Sequence, residues 1–211
     1  VGSSTYGSAK DANIIEVKAL NKNGAGTLSG IISAIEFAAT HRKEQGVPGV
    51  ANLSLGSIIN TALNKAVDSA YDTGLIIVAA AGNSNTNACF TSPAGANKAI
   101  TVGAINDEND ELAEFTNWGR CIDINAPGVE IESVHFENEE SSAILTGTSM
   151  AAPIVTGQIA NLLSYGIDQL EVKRVLKTMS LKGRIPRNYR KLSTPNRIVY
   201  NGMEGHCGKN E

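Results

Sequence analysis

The sequence predicts an α/β protein, a doubly wound, mostly parallel sheet with helices on both faces. Strand-like and helix-like segments alternate along the chain at the spacing of consecutive β-α-β units. Residues 75–81 are apolar throughout, as in a central parallel strand that is covered on both faces. With 211 residues, of which 42% are hydrophobic and 18% charged, the chain is long enough for one domain with a full core.

The first half of the chain is predicted to alternate strand and helix. Residues 13–20 read as a strand that ends in a polar turn, and 28–42 carry apolar residues at helical spacing. Glycine and proline at 46–49 break that helix. Residues 50–55 form the next predicted strand, which stops at a glycine, and 61–72 place apolar residues on one helical face.

The second half continues the alternation and ends in a turn-rich, basic stretch. No repeat, low-complexity segment or linker divides the chain, so residues 1–211 are predicted to form a single domain. In order, the elements predicted here are strands 75–81, 99–105 and 121–126, a hairpin over 128–145 with an acidic tip at 137–140, a helix over 149–164, a surface helix over 168–179, and a short strand at 198–200.

Charge and hydropathy exclude several classes of partner. The net charge of −3 offers no basic patch for nucleic acid or for an anionic membrane, and no apolar run approaches membrane-spanning length. The chain begins at Val1 rather than Met, and no signal peptide is visible. We therefore expect the domain to be incomplete at its N-terminus. Loss of the first strands would expose apolar sheet edges, so poor solubility is expected for the isolated piece.

Ser149 is the first candidate catalytic residue. A β-prone run at 143–145 ends at Gly147, and an apolar helical pattern begins at Ser149. Pro153 is expected in the first helical turn, where its missing N–H costs little. A serine in that turn lies where free N–H groups and the helix dipole favour negative charge, which suits a nucleophile whose attack creates an oxyanion. The alternative is that Ser149 only caps the helix, as most serines at such positions do.

Asn83 is the second candidate. It follows the apolar strand 75–81, and in open α/β sheets sites form at the carboxyl ends of the strands. Its side-chain amide can donate a hydrogen bond to an oxyanion while Ser149 attacks. The alternative is that Asn83 only forms a turn.

Two further motifs match known signatures only superficially. The glycines at 24, 26 and 30 follow a strand and precede a helix, but their GxGxxxG spacing differs from the GxGxxG that binds dinucleotides. We expect these glycines to let another backbone lie alongside. Residues 52–54 (NLS) match a glycosylation sequon but lie in a predicted strand, so we expect no modification there.

A nucleophile elbow is the competing hydrolase interpretation. Residues 147–151 (GTSMA) come close to GxSxG, and Asp168 and His206 follow in the order that elbow enzymes use. Both are predicted to be solvated surface residues, because isolated charged groups are mostly exposed. An esterase of this type would lose its activity on replacement of His206.

Taken together, the motifs resemble those of the subtilisin-like serine proteases. Residues 147–153 (GTSMAAP) resemble the nucleophile motif of that family, and 79–83 (AAAGN) resemble its oxyanion-asparagine strand. The resemblance spans nearly the whole chain and is greatest to the proteinase K branch, particularly the fungal vacuolar proteases. Further segments that fall in the family's order are GAG at 24–26, SLG at 54–56, SPA at 92–94, ITVGA at 100–104, FTNWG at 115–119 and APG at 126–128.

This resemblance implies a role for each site residue. Ser149 would attack the scissile carbonyl of a peptide, and the Asn83 amide with the Ser149 backbone N–H would hold the oxyanion. A polypeptide substrate, or the inhibitory propeptide of a zymogen, would lie as a strand between two segments of the chain. The implied substrate-binding residues are Gly24, Gly26 and Leu28 on one side, Ser54, Leu55 and Gly56 on the other, and Ala80, Ala81 and Gly82 in the pocket wall.

The catalytic base is the main departure from the family pattern. The family's triad order is Asp, His, Ser, and its Asp and His motifs lie upstream of the segment that matches residues 1–7. His41, His135 and His206 match none of the catalytic positions, and Ile154 replaces the histidine that usually follows the motif proline. Since a serine without a base is a poor nucleophile, the Asp and His are predicted to come from a segment absent from this chain.

The resemblance also bears on the cysteines and on a calcium position. Cys89 and Cys121 match a cysteine pair that is bridged in some relatives, which implies a disulfide and an oxidising compartment; two reduced buried thiols are the alternative. Cys207 is left over. The family's calcium position holds Asn106 instead of Asp, with Asp107 one place on, which counts against calcium. No metal and no cofactor are predicted.

Two functions therefore stay open. The first is the C-terminal part of a serine endopeptidase in the secretory pathway, vacuolar or extracellular. The second is a catalytically inactive homologue whose groove binds a peptide strand, which Ile154 and the absent base favour. An Asp-Thr/Ser-Gly strand end and a His-Gly-Thr-His helix start upstream of Val1 would support the protease.

Overall fold

The computed structural model describes residues 1–138, 141–186, 191 and 193–202. The strands, in chain order, are β1 (Gly49–Leu53), β2 (Ser57–Ile58), β3 (Leu75–Ala80), β4 (Thr91–Ser92), β5 (Ile100–Asn106), β6 (Glu111–Leu112), β7 (Ile124–Pro127), β8 (Ile131–Val134), β9 (Ser142–Leu145), β10 (Leu181–Lys182) and β11 (Arg197–Ile198). The α-helices are α1 (Leu28–Gln45), α2 (Thr61–Asp72), α3 (Thr148–Ser164) and α4 (Gln169–Met179), and a 3-10 turn spans Ala88–Phe90.

The central sheet has seven strands and is mostly parallel. Its strands lie in the order β1-β3-β5-β7-β11-β10, and β6 pairs with β5. The pairs from β1 to β11 along this path are parallel, whereas β10 and β6 are antiparallel to their neighbours. A separate hairpin of β8 and β9 leads into α3, as the sequence predicts.

Helices cover both faces of the sheet. Alternate side chains of a strand point to opposite faces, so Ile77 packs with α1 and α2 while Ile76 packs with α3 and α4. All six residues of β3 are buried, because both layers cover this strand. The predicted doubly wound α/β architecture is confirmed.

Helix α3 is the central element of one face. Its Val155 and Ile159 are fully buried, and it contacts β1, β3, β5 and β7. The expectation that Pro153 lies in the first turn is wrong, because the helix begins at Thr148 and Pro153 is its sixth residue. Among the described residues, no helix has the length and hydropathy that crossing a lipid bilayer requires.

One predicted strand is absent. Residues 13–20 form no ladder with any described strand, and Ile14 and Ile15 are 60% and 50% exposed. A strand needs a neighbour to accept and donate its backbone hydrogen bonds, and apolar sequence alone does not supply one. The strand predicted at 121–126 is also corrected, since it begins at Ile124 after a turn closed by Ile122 N–H donating to Gly119 O.

A disulfide joins Cys89 and Cys121, as the resemblance implied. The bonded cysteines are 32 residues apart and fasten the 3-10 turn to the segment that precedes β7. Cys207, the leftover cysteine, and the chain around it lie outside the described residues.

Removing this disulfide is expected to lower the free energy of unfolding. Joint replacement of Cys89 and Cys121 with serine frees the unfolded chain from a cross-link of this span, which is worth about 2–4 kcal/mol. Urea denaturation of the oxidised protein measures the loss. Cys207→Ser is the control and should leave the midpoint in place. Equal midpoints for the double variant and the control would contradict the expectation.

Candidate active site

The candidate residues lie at one edge of the sheet. Asn83 follows the carboxyl end of β3, and Ser54 follows the carboxyl end of β1, which runs parallel to β3. The first turn of α3, which carries Ser149, meets the same edge through a contact between Thr148 and Asn83. Asn83 and Ser149, which are 66 positions apart, are thus brought to one edge of the sheet. This place outside the carboxyl ends of β1 and β3, where open α/β sheets form their sites, is referred to as the crevice.

Ser149 is the second residue of α3 and does not cap it. The N-cap is Gly147, and no side chain caps this helix. Within the described residues, neither the hydroxyl nor the backbone N–H of Ser149 has a hydrogen-bond partner. The capping interpretation is therefore wrong. An unpaired N–H at a helix N-terminus is a donor that the helix dipole strengthens toward an anion.

Thr148 fixes the orientation of the Asn83 side chain. The Thr148 backbone N–H donates to Asn83 Oδ1 over 2.9 Å, and the Thr148 hydroxyl donates to the same oxygen over 2.8 Å. The Gly82 N–H in turn donates to Thr148 Oγ1 over 3.1 Å. Because two donors require an oxygen at that place, the amide nitrogen of Asn83 is directed away from Thr148. In the described part of the chain, that nitrogen donates to no protein acceptor.

Pro153 shapes the same turn through the N–H that it lacks. In an α-helix the N–H of residue 153 would donate to the carbonyl of Ser149, and proline cannot do so. The Ser54 hydroxyl donates to that carbonyl instead, over 2.9 Å. The segment after β1 is thereby joined directly to the helix turn that carries the candidate nucleophile.

A short polar chain extends this connection into the helix. Asn52 Nδ2 donates to Ser54 Oγ over 3.0 Å, and the Thr156 hydroxyl donates to Asn52 Oδ1 over 3.0 Å. Thr156 is buried and belongs to the same IVTG segment as Ile154, the departure noted in the sequence. Ile154 itself packs against the core on the face of the sheet that α3 and α4 cover. Both ends of the Asn52 amide are engaged within the protein.

The two segments expected to flank a peptide precede α1 and follow β1. Gly24, Gly26 and Leu28 are exposed at the start of α1. Helix α1 ends at Gln45, just before β1 begins, so its N-terminus returns to the carboxyl end of that strand. Leu55 is half-buried against the α1 and α2 layer, and Ser54 and Gly56 lie beside it.

The residues expected to line the pocket wall differ in what they present. Ala80 is 6% exposed and packs toward α3 and β5. The Ala81 side chain is buried with Ala88 and Ile122, and its backbone N–H and carbonyl are both hydrogen-bonded. Gly82 is half-buried, with a φ of +102° that favours glycine.

None of the described histidines reaches Ser149. His41 stacks on the exposed Phe37 and lies about 20 Å along α1 from the crevice end of that helix. His135 lies toward the far end of the β8–β9 hairpin, where its ring is 3.8 Å from the Glu137 carboxylate. His206 lies outside the described residues.

The elbow arrangement is not formed with Asp168. Asp168 Oδ1 accepts from the Leu170 N–H and caps α4. It follows the C-terminal end of α3, a helix of 17 residues, and is therefore about 25 Å from Ser149. In the described ranges no group of three or more His, Cys, Asp or Glu side chains could hold a metal ion.

Sequence reasoning missed two residues that shape the site. Thr148 belongs to the nucleophile motif, but the motif does not indicate that its N–H and hydroxyl bind Asn83 Oδ1. Asn117, buried at 1% exposure, binds the loop that carries Asn83. Adjacency to Ser149 was a signal for Thr148, whereas nothing in a linear pattern ties Asn117 to position 83.

Comparison with known proteins agrees with this geometry. Residues 2–202 match the model of the subtilase family. The subtilase-type proteinase RRT12 of Saccharomyces cerevisiae is 47% identical over 210 residues, covering 97% of this chain and 43% of that protein. Cerevisin of the same yeast is 40% identical, covering 96% of this chain and 35% of that protein. A cuticle-degrading serine protease of Arthrobotrys oligospora is 39% identical, covering 96% and 49% respectively.

A solved structure shares the fold. A crystal structure of a cold adapted subtilisin-like serine proteinase superposes with a TM-score of 0.87 at 37% identity, covering 95% of this chain and 71% of that one. The chain spans between 35% and 49% of the length of the three relatives above.

Proposed function

Because the chain belongs to the subtilase family, we propose that it carries the nucleophile and the oxyanion donors of a serine endopeptidase. Ser149 is the nucleophile, and the Asn83 amide with the Ser149 N–H forms the oxyanion hole. The Asp and His of the triad come from a part of the protein outside this chain. The substrate is a polypeptide that lies between 24–28 and 54–56.

One observation carries the proposal: two donors at the crevice are left without protein partners. The Asn83 Oδ1 atom and the Thr148 N–H and hydroxyl are hydrogen-bonded to each other, but among the described residues the Asn83 amide nitrogen and the Ser149 N–H have no partner. Donors held in place before the reaction stabilise developing charge without reorganisation, which is usually the largest single catalytic effect.

The proposed reaction is acyl transfer to Ser149 followed by hydrolysis. Ser149 Oγ attacks the scissile carbonyl carbon while its proton passes to the imidazole of the triad. The carbonyl oxygen becomes the oxyanion between the two donors. The C–N bond then breaks, and the amine leaves with the proton from the imidazole. Water, activated by the same imidazole, releases the acyl group and restores the Ser149 hydroxyl.

Labelling of the complete protein with a fluorophosphonate tests this proposal. We expect the label on Ser149, identified by peptide mass spectrometry, and no label on Ser149→Ala. Ser164→Ala is the matched control, because Ser164 ends the same helix and its hydroxyl donates only to Asn161 O. The isolated residues 1–211 should stay unlabelled. Equal labelling of Ser149→Ala and the wild type would overturn the proposal.

A second candidate is a homologue that binds a peptide strand without cleaving it. The observation in its favour is that neither described histidine approaches the Ser149 hydroxyl. A complete protein that binds a peptide aldehyde but resists the fluorophosphonate would support this alternative over the protease.

The disulfide supports a proposal about the location of the protein in the cell. Disulfides persist in oxidising compartments, so the Cys89–Cys121 bridge supports a location in the secretory pathway, the vacuole or the exterior. We extend the proposal to a zymogen whose inhibitory propeptide occupies the same crevice as the substrate.

A further inference from the structure

We propose that Asn117 is a positioning residue for catalysis, which holds the loop of residues 82–86 so that Asn83 faces the oxyanion. This inference rests on the proposed function. It is argued from hydrogen bonds that the buried Asn117 side chain makes with the backbone before and after Asn83.

The Asn117 side chain binds the backbone before and after Asn83. Its Oδ1 accepts from the Ser84 N–H over 3.1 Å and from the Thr86 N–H over 3.0 Å. Its Nδ2 donates to Ala81 O over 2.7 Å. The backbone N–H of Asn117 also donates to Gly82 O over 2.9 Å. Asn83 therefore lies between two stretches of backbone, 81–82 and 84–86, that are both hydrogen-bonded to Asn117.

An asparagine suits this place because both halves of its amide are used. The oxygen accepts from converging N–H groups, and the nitrogen donates to a carbonyl. Aspartate would keep the hydrogen bonds that Asn117 Oδ1 accepts. Its second carboxylate oxygen would face Ala81 O, so that two acceptors would meet without a donor between them. Since Asn117 is 1% exposed, water cannot replace the lost donor without rearrangement.

Gly82 shows how tightly the loop lies on this side chain. A Cβ atom at Gly82 would stand 2.5 Å from Asn117 Nδ2, and the φ of +102° favours glycine in any case. The arm between Ala81 and Asn83 thus follows the surface of the Asn117 amide. Movement of that amide displaces the backbone from which the Asn83 side chain extends.

The far arm of the loop has supports of its own. The Asn85 N–H donates to Phe115 O over 2.8 Å, and the Trp118 N–H donates to Thr86 O over 2.9 Å. Lys191 Nζ donates to Asn85 Oδ1 over 2.8 Å. Burial lowers the pKa of the Lys191 ammonium, and its attraction to Glu114 offsets part of that effect. These contacts should keep the loop in place when Asn117 is changed, so that only the Asn83 arm loosens.

Kinetics of Asn117→Asp in the complete proteinase test the inference. A misplacement of about 1 Å in a catalytic group costs on the order of 100-fold, so we expect kcat to fall about 10- to 100-fold with KM within about threefold. Asn125→Asp is the matched control: this amide is equally buried but donates to Pro195 O and Arg197 O, away from the loop. It should lower the melting temperature and leave kcat unchanged.

A double-mutant cycle separates positioning from a purely structural role. If Asn117 acts through Asn83, then Asn117→Asp should cost little once Asn83→Leu is present. Should Asn117→Asp fail to fold, Thr86→Val, which removes the hydroxyl donor to Asn117 Oδ1, replaces it in the cycle. Full additivity of the two losses, or a lowered melting temperature with unchanged kcat, would overturn the inference. Failure of the proposed function would show instead as a wild type that is inactive and unlabelled.

Discussion

On the proposed function, replacing Asn83 with leucine is expected to lower the kcat of the complete protein about 100- to 1,000-fold, a magnitude established for one oxyanion donor in a subtilisin rather than in this chain. Leucine has nearly the same shape but no donor, so the oxyanion would keep only the Ser149 N–H. KM should change little, because the lost bond forms in the transition state and not in the ground state. Steady-state hydrolysis of a peptide amide measures both constants.

Asn83→Asp provides the matched variant for that experiment. Its carboxylate can still accept from the Thr148 N–H and hydroxyl, which hold the side chain at this place. It cannot donate, and it adds a negative charge beside the developing one. We therefore expect a loss at least as large as that of Asn83→Leu. If Asn83→Asp kept wild-type kcat, the assignment of Asn83 as an oxyanion donor would be wrong.

Replacing Asp123 with asparagine is expected to cost about 3 kcal/mol of unfolding free energy. Asp123 is 8% exposed, and its carboxylate lies 2.9 Å from Lys173 Nζ and 2.7 Å from Lys177 Nζ. It also accepts from the Thr101 N–H over 3.0 Å. The variant would leave two half-buried ammonium groups of α4 without their counter-ion against the sheet. Urea denaturation with a constant m-value measures the difference.

Asp72→Asn is the control for the buried pair. Asp72 also pairs with a lysine, Lys98, but its side chain is 63% exposed. Water and salt screen such surface pairs, so the loss should stay below about 1 kcal/mol. A loss for Asp123→Asn no larger than that of Asp72→Asn would show that α4 does not depend on this charge cluster.

Local pattern accounts for the elements that the sequence predicted well. The range 61–72 coincides with α2, because its apolar residues recur at helical spacing and Asn60 supplies the cap. The central strand predicted at 75–81 is found as β3, which ends one residue earlier at Ala80, and its uninterrupted apolar run is covered on both faces. By contrast, residues 13–20 have a strand-like sequence and no ladder, since strand formation depends on a partner elsewhere.

The sequence by itself determined the layered α/β sheet, the serine at the start of a buried helix and the asparagine after the central strand, because each follows from periodicity or from a short motif. Only the tertiary structure decided that Thr148 orients Asn83 and that the Ser54 hydroxyl donates to the Ser149 carbonyl, which Pro153 leaves without a helical N–H donor. It also decided that Asn117 binds the loop that carries Asn83. Those hydrogen bonds join residues 36 to 95 positions apart, and no local pattern encodes which distant donor will face which acceptor.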